Sequence, residues 1–334
     1  MSIPVSEAHA ASYRAREVPA PAQVIEGVWA VPVPLSGSAL RAVTVFLIET
    51  RAGLVLVDAG YDHPSCWASF RSSLNAIGHT VEAISTVLIT HNHPDHVGFA
   101  DRVRTVSGAR VLMGAADDFA GMHRLRGGFL DQLGTALDLT GAPQDVVDSM
   151  YADAVKVAEH HESLRLDATL PAGGTELDFG DVTIRAVHTP GHTYGHTVYY
   201  DTRGIVFTGD TMMAEGPTQL AIVSRTGDDP AGDLLASLDR IRDLGATIAC
   251  PAHQFPYRDV ATRAEELKAF HRAEVDAVRG LTDGSATAWD VVRRMSWKKP
   301  WDELGRGTRR FNLVHTLALL RNTASTAGRI EDAR

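Results

Sequence analysis

Cysteine is scarce: the 334 residues include only Cys66 and Cys250. Two thiols cannot build the disulfide framework of a small secreted scaffold, and both read as buried small residues. Long apolar runs are missing as well, since no stretch approaches the ~18 consecutive apolar residues of a membrane-spanning helix. Positive charge is not in excess: 32 Lys and Arg stand against 41 Asp and Glu, a net charge of −9. Nucleic-acid affinity rests on neutralised phosphates, so this balance argues against a dedicated DNA or RNA binder. The local basic cluster Arg306, Arg309 and Arg310 does not alter that reading. The first 23 residues lack a basic stretch followed by an apolar one, the mark of a secretory signal, and a cytoplasmic protein is expected. No G-x-S-x-G segment occurs, which removes the nucleophile elbow of a serine hydrolase.

What is present is an α/β pattern. Residues 1–23 read as a loose N-terminal leader. From Gly27 the segments GVWAVPV, AVTVFLIET and GLVLVDAG are β-branched runs separated by turn residues, a strand meander. A helix is expected around Trp67 to Ile77. AISTVLIT (83–90) is a near-continuous apolar strand of the kind buried on both faces. A short helix at 98–107 and a strand at 110–113 follow. From about 115 to 161 the spacing of Phe119, Leu125, Phe129, Leu130, Leu133, Leu137, Val146, Val147 and Met150 predicts a helical insertion, with His160 and His161 in it. Strands resume at 182–188, 196–201 and 204–210. Asp229-Pro230 is a helix start, a capping Asp followed by Pro at the first helical position, and Gly245 is its stop. ATIACPAH (246–253) is the last core strand. Beyond Asp259 the stripes Leu267, Phe270, Val275, Val278, then Val292 and Met295, then Phe311, Val314, Leu317 and Leu320 predict three helices. The organisation expected is a leader (1–23), a catalytic domain (24–258) carrying the insertion, and a small helical C-terminal region (259–334).

Fifteen histidines are the compositional oddity, and their placement carries the chemistry. His91-Asn92-His93-Pro94-Asp95-His96 follows the core strand at 83–90. His192 lies in HTPGHT, Asp210 in FTGD and His253 in PAH. Imidazoles and carboxylates are the preferred ligands of Zn²⁺ and similar first-row ions. Three histidines and an aspartate within six residues cannot all face one ion. In an extended loop alternate side chains point opposite ways, so His91 and His93 share one side and Asp95 and His96 turn to a neighbouring point. Two ions a few ångströms apart are expected, as in two-metal hydrolases.

HNHPDH resembles the HxHxDH signature of the metallo-β-lactamase fold superfamily. VDAG (57–60), HTPGHT (188–193), TGD (208–210) and PAH (251–253) are similar to its later motifs, in its order, from about Gly27 to Phe255. The resemblance implies a four-layer αβ/βα sandwich, two mixed sheets face to face with helices outside and the metals at one edge. It implies that His91, His93 and His192 hold one ion, Asp95, His96 and His253 a second, and that Asp210 bridges them, in a glyoxalase II-like arrangement. Zinc is the first expectation for both ions, with iron or manganese also able to use this ligand set. Asp58 reads as a residue that orients ligands, and His188 and His196 flank the metal loop. Tyr194 is a candidate to reach a substrate oxygen, and Met213 to line the cleft. N-acyl homoserine lactonases of the superfamily carry Tyr where this chain has Met213, and the basic residues with which glyoxalase II grips glutathione have no counterpart in the C-terminal region.

The function expected is a metal-dependent hydrolase that opens an ester, thioester or lactone of a hydrophobic small molecule with a metal-bridging hydroxide, Asp95 taking the proton. A β-lactamase-like amidase, a phosphodiesterase and a single-iron sulfur dioxygenase are the alternatives. No nucleic acid and no membrane is expected as a partner, and the appended helices leave a homo-oligomer open.

Overall fold

A computed structural model describes residues 2–35, 40–118, 125–157, 164–225, 227–282 and 285–331. Phe119, His160 and His161 of the expected insertion lie outside the described residues.

Two seven-stranded mixed sheets face each other. The first runs β2 (Ala22–Ile25), β3 (Val28–Pro34), β4 (Ala42–Thr50), β5 (Gly53–Val57), β6 (Ile84–Ile89), β7 (Arg110–Gly114) and β8 (Ala168–Leu170) in spatial as well as chain order. It is antiparallel from β2 to β5 and parallel from β5 to β8. The second has the order β1 (Ile3–Pro4), β14 (Tyr257–Arg258), β13 (Ile248–Pro251), β12 (Ile205–Gly209), β11 (Thr197–Asp201), β10 (Thr183–His188) and β9 (Thr175–Asp178). Within it only β12 and β13 pair in parallel.

The period-two alternation of each strand builds the layers. Phe46 and Ile48 of β4, Val55 and Val57 of β5, and Ile205 and Phe207 of β12 point between the sheets into one core. Their neighbours Val45, Leu47, Leu54 and Leu56 point outward. There they meet Cys66, Phe70 and Leu74 of α2 (Pro64–Ala76), and Ala100 and Val103 of α4 (Ala100–Ser107), which follows the single turn α3 (Pro94–Val97). Strands covered on both faces must be apolar at almost every position, which is why β4 and β6 read as unbroken hydrophobic runs. On the far side Val198, Val206 and Ala249 of the second sheet pack under Leu234, Leu238 and Ile241 of α7 (Pro230–Asp243) and Ala264 and Leu267 of α8 (Val260–Leu281). Helix α7 starts as its sequence indicates, the Asp229 side chain accepting the Gly232 N–H. The αβ/βα sandwich expected from the resemblance is the observed architecture.

Three features differ from the sequence reading. Residues 3–14 are not loose: β1 pairs with β14, and α1 (Glu7–Arg14) buries His9 and Ala10. The strands β2, β8 and β9 escape the apolar pattern because they are three or four residues long with polar positions. The insertion helices α5 (Leu125–Asp138) and α6 (Gln144–Val157) share a core with the C-terminal helices. Leu133, Leu137 and Met150 lie in the same cluster as Val291 and Val292 of α9 (Ala288–Val292) and Leu313 and Leu317 of α10 (Arg306–Glu331). Those apolar faces are therefore buried against one another.

The α8 stripe contains an instructive substitution. Phe270 there and Phe311 on α10, both expected inside, are 43% and 38% exposed, whereas His271 takes the buried position on α8 between Leu267 and Val275. The imidazole is tolerated there because its Nδ1 lies 2.9 Å from a Glu274 carboxylate oxygen, while the other Glu274 oxygen lies 3.3 Å from His315 Nε2 on α10. Burial opposes the Glu274 charge, but the two imidazoles outweigh it and hold the carboxyl down at about 2. A carboxyl depressed in the fold stabilises it above the ordinary value near 4.5 and loses that contribution as pH falls toward 2. Glu274→Gln is therefore expected to cost roughly 1–3 kcal/mol at neutral pH. Urea titrations at a series of pH values should show the gap to wild type narrowing below about pH 4.5; a gap independent of pH would contradict the cross-link.

Candidate metal centre

Seven side chains from four loops converge where strands of both sheets end. Strands β10, β12 and β13 run in the same direction, and the loops following them carry His192, Asp210 and His253. The end of β6 in the other sheet supplies the HNHPDH segment. Within that segment His91 continues the strand, His93 is the N-cap of α3, and Asp95 and His96 lie on its single turn. The side chains thus diverge through a helical turn, not the extended loop expected from the sequence. Pro94 at the first helical position fixes the turn, its φ being already helical.

Two donor groups result. Ligand atoms of His91, His93, His192 and Asp210 lie within 4.8 Å of one another, and those of Asp95, His96 and His253 form a second set. Asp210 stands between them: its Oδ2 is 3.6 Å from His192 Nε2, and its Oδ1 is 3.6 Å from His96 Nε2 and 3.5 Å from His253 Nε2. Asp95 closes the second set at 3.4 Å from His253 Nε2. His91, His96, His192, Asp210 and His253 are buried, and the set opens outward at the half-buried His93 and Asp95.

The rear nitrogens fix the tautomers. His192 Nδ1–H donates to the Gln219 carbonyl at 2.8 Å, His253 Nδ1–H to the Ala42 carbonyl at 2.9 Å, and His96 Nδ1–H to Asp58 Oδ2 at 2.9 Å. His91 Nδ1–H donates to Thr90 Oγ1 at 3.0 Å, whose own proton goes to Asp58. Each ring therefore turns its Nε2 inward. His93 Nδ1 meets two such nitrogens, 2.9 Å from His91 Nε2 and 3.1 Å from His192 Nε2. His96 Nε2, His253 Nε2 and Asp210 Oδ1 are buried without a hydrogen-bond partner. Converging lone pairs and orphaned buried donor atoms are costly, and cations satisfy both. The residues fit metal ions.

Electrostatics agree. Burial lowers the pKa of His91, His192 and His93, the last to about 3, so these rings stay neutral. Burial also opposes charge on Asp210, yet His253 and His96 hold that carboxyl well below the usual range. For His96 and His253 burial is outweighed by facing carboxylates: Asp58 and Asp210 push His96 well up, and Asp210 pushes His253 to about 10. Protons gather on the two imidazoles that the carboxylates surround, the places a cation would take.

Asp58 is placed as the sequence suggested, buried beneath the ligands, where it accepts from Thr90 N at 2.8 Å as well as from His96. His196 is a support: its Nε2 accepts the Asp210 N–H at 3.2 Å, and its ring stacks on His91 at 5.1 Å. His188 and Tyr194 are not brought to the cluster. His188 Nε2–H donates to the Tyr194 carbonyl at 2.8 Å, and the Tyr194 hydroxyl is bonded to Asp228, Ser224 and the Ile222 carbonyl. Met213 is half-buried with its sulfur 3.9 Å from Gln254 Nε2. Sequence reasoning missed Thr90, which relays Asp58 to His91, and Asp117, whose buried carboxylate bonds both histidine loops. Nothing in a single sequence separates Asp117 from its neighbour Asp118.

Known proteins resemble this chain in sequence and fold. Residues 39–253 match the family model of the metallo-beta-lactamase superfamily. The probable metallo-hydrolase YqjP of Bacillus subtilis is 26% identical over 90% of this chain and 89% of its own length. An atrochrysone carboxyl ACP thioesterase of Aspergillus fumigatus is 26% identical over 72% of this chain and 45% of that protein. A hydroxyacylglutathione hydrolase of Rhodospirillum rubrum is 24% identical over 70% and 73%. The crystal structure of a metallo-beta-lactamase family protein from Thermus thermophilus superposes with a TM-score of 0.70 and 28% identity, covering 91% of this chain and 95% of that one. The match extends over most of the chain and encloses all seven converging side chains, so the chain belongs to the metallo-beta-lactamase superfamily, whose members are usually metal-binding hydrolases.

Proposed function

We propose that the chain is a dinuclear metallo-hydrolase that cleaves a thioester or a similarly activated ester of a small hydrophobic molecule. The observation that carries this reading is the pair of donor sets sharing Asp210, His91/His93/His192 on one side and Asp95/His96/His253 on the other. Zinc is the ion this nitrogen and oxygen set suits first. Divalent cations held there would supply Lewis acidity toward a carbonyl oxygen and lower the pKa of water toward neutrality.

The chain's own residues divide the remaining work. Asp210 is buried and fixed by its neighbours, whereas the Asp95 side chain is 20% exposed. Asp95 is therefore the carboxylate that can exchange a proton with an attacking water or a departing group. Burial opposes its charge, but His96 and His253 hold it well below the usual carboxylate range, so it is ionised at neutral pH. A thiol leaving group has an ordinary pKa near ~8.5 and departs without an acid of its own, which an amide nitrogen requires. The Tyr194 hydroxyl, read in the sequence as a candidate to reach a substrate oxygen, is committed to Asp228. A leaving group that needs no protonation favours thioester and activated ester over amide. Two relatives bear names of the same kind, an ACP thioesterase and a hydroxyacylglutathione hydrolase. Met213 in place of the lactonase tyrosine argues against acyl homoserine lactones.

Elemental analysis of the purified chain is expected to give two divalent ions per chain, and an acyl-thioester and aryl-ester panel to show turnover abolished by chelation and restored by zinc. One iron per chain, or no turnover of any panel member by metal-loaded protein, would contradict the reading. Asp58→Asn removes the acceptor of the His96 proton without touching the cluster face. It is expected to weaken metal retention about 10- to 100-fold against a competing chelator with little change in secondary structure by circular dichroism; undiminished retention would contradict the role of Asp58.

A further inference from the structure

Asp117 closes the short turn that follows β7 and is fully buried. Its carboxylate accepts three hydrogen bonds, two of them from residues adjacent to metal-ligand candidates and the third from the same loop as His192. Gly195 N donates to Oδ1 at 2.6 Å, while Thr193 Oγ1 at 2.7 Å and Asn92 N at 3.2 Å donate to Oδ2. Asn92 sits between His91 and His93, and Thr193 follows His192. The two loops belong to different sheets and are joined beside the site by one backbone bond, Thr197 N–H to the Thr90 carbonyl at 2.9 Å, with Asp117 bridging them on the side of His93 and His192. The approach is close enough to exclude side chains: a Cβ on Gly195 would come within 2.3 Å of Asp117 N, and one on Gly114 within 2.1 Å of Gly195 O. Burial pushes the Asp117 carboxyl up to about 6, against the pull of the three donors.

We propose that Asp117 is a positioning residue that sets the distance between His192 and the His91/His93 pair, and so acts on one cation position and not on the other. The second set, Asp95/His96/His253, receives no bond from Asp117. His253 is anchored instead by the Ala42 carbonyl and His96 by Asp58. The inference rests on the reading that the two donor sets hold cations, and it adds that they are supported independently.

The test uses Asp117→Asn, which keeps the shape but cannot accept from both sides, and the milder Thr193→Val, which removes one donor. Zinc titration of the chelator-stripped full chain by calorimetry is expected to give two binding events in wild type. In both variants one event should weaken about 10- to 100-fold while the other is unchanged. Loss of both events together, or of neither, would overturn the proposal. Imidazole nitrogen NMR of the stripped protein supplies a readout without any cation. Ring signals of His91, His93 and His192 should move in the variants and that of His253 should not; movement of His253 alone, or of all rings alike, would overturn the proposal. A wild type that binds no zinc would contradict the hydrolase reading, and the imidazole spectra would then decide the positioning role alone.

Discussion

The structure turns on one constraint, that buried lone pairs of opposite sheets must face each other. Two sheets of seven strands meet along an apolar core, and at one edge their loop ends present imidazole nitrogens and carboxylate oxygens with no hydrogen-bond partner. A fold does not leave several such atoms buried together without a charge to satisfy them, because each uncompensated group costs ~1–3 kcal/mol. The remainder of the site serves this edge. Asp58, Thr90, Ala42 and Gln219 hold the outward-facing nitrogens so that the other ring nitrogens face the cluster.

The same constraint explains how charge is distributed. Asp58, Asp95 and Asp210 together carry more negative charge than a closed, apolar surround can tolerate alone, and His96 and His253 take up protons in response. For the triad of His91, His93 and His192, burial outweighs the pull of the nearby carboxylates, and these rings stay neutral. The two sides of Asp210 therefore differ in affinity for protons, and cations and protons compete more strongly on the Asp95/His96/His253 side. The half-buried Asp95 is the member of that set that reaches solvent.

Much of the centre was legible in the sequence because its spacing is chemical. HNHPDH places four donor residues at the end of an apolar strand, and the later histidines and Asp210 stand after strands whose β-branched runs are plain. The reading erred where local pattern gives no direction. Pro94 starts a helical turn, and a helical turn separates side chains differently from the extended loop assumed. Phe270 fits an apolar stripe as well as any residue, but the pair of bonds through Glu274 lets His271 occupy the interior. Residues 3–14 look like a leader because their single buried alanine and histidine carry no periodicity, and only pairing with β14 reveals their place. Asp117 could not be distinguished from Asp118, because its partners come from segments far away in the chain.

Anomalous diffraction from zinc-loaded crystals tests the central claim most directly. Two peaks about 3.5–4 Å apart, one beside His91, His93 and His192 and one beside Asp95, His96 and His253, with Asp210 reaching both, is the result this account predicts. A single peak, or zinc bound away from Asp210, would contradict it.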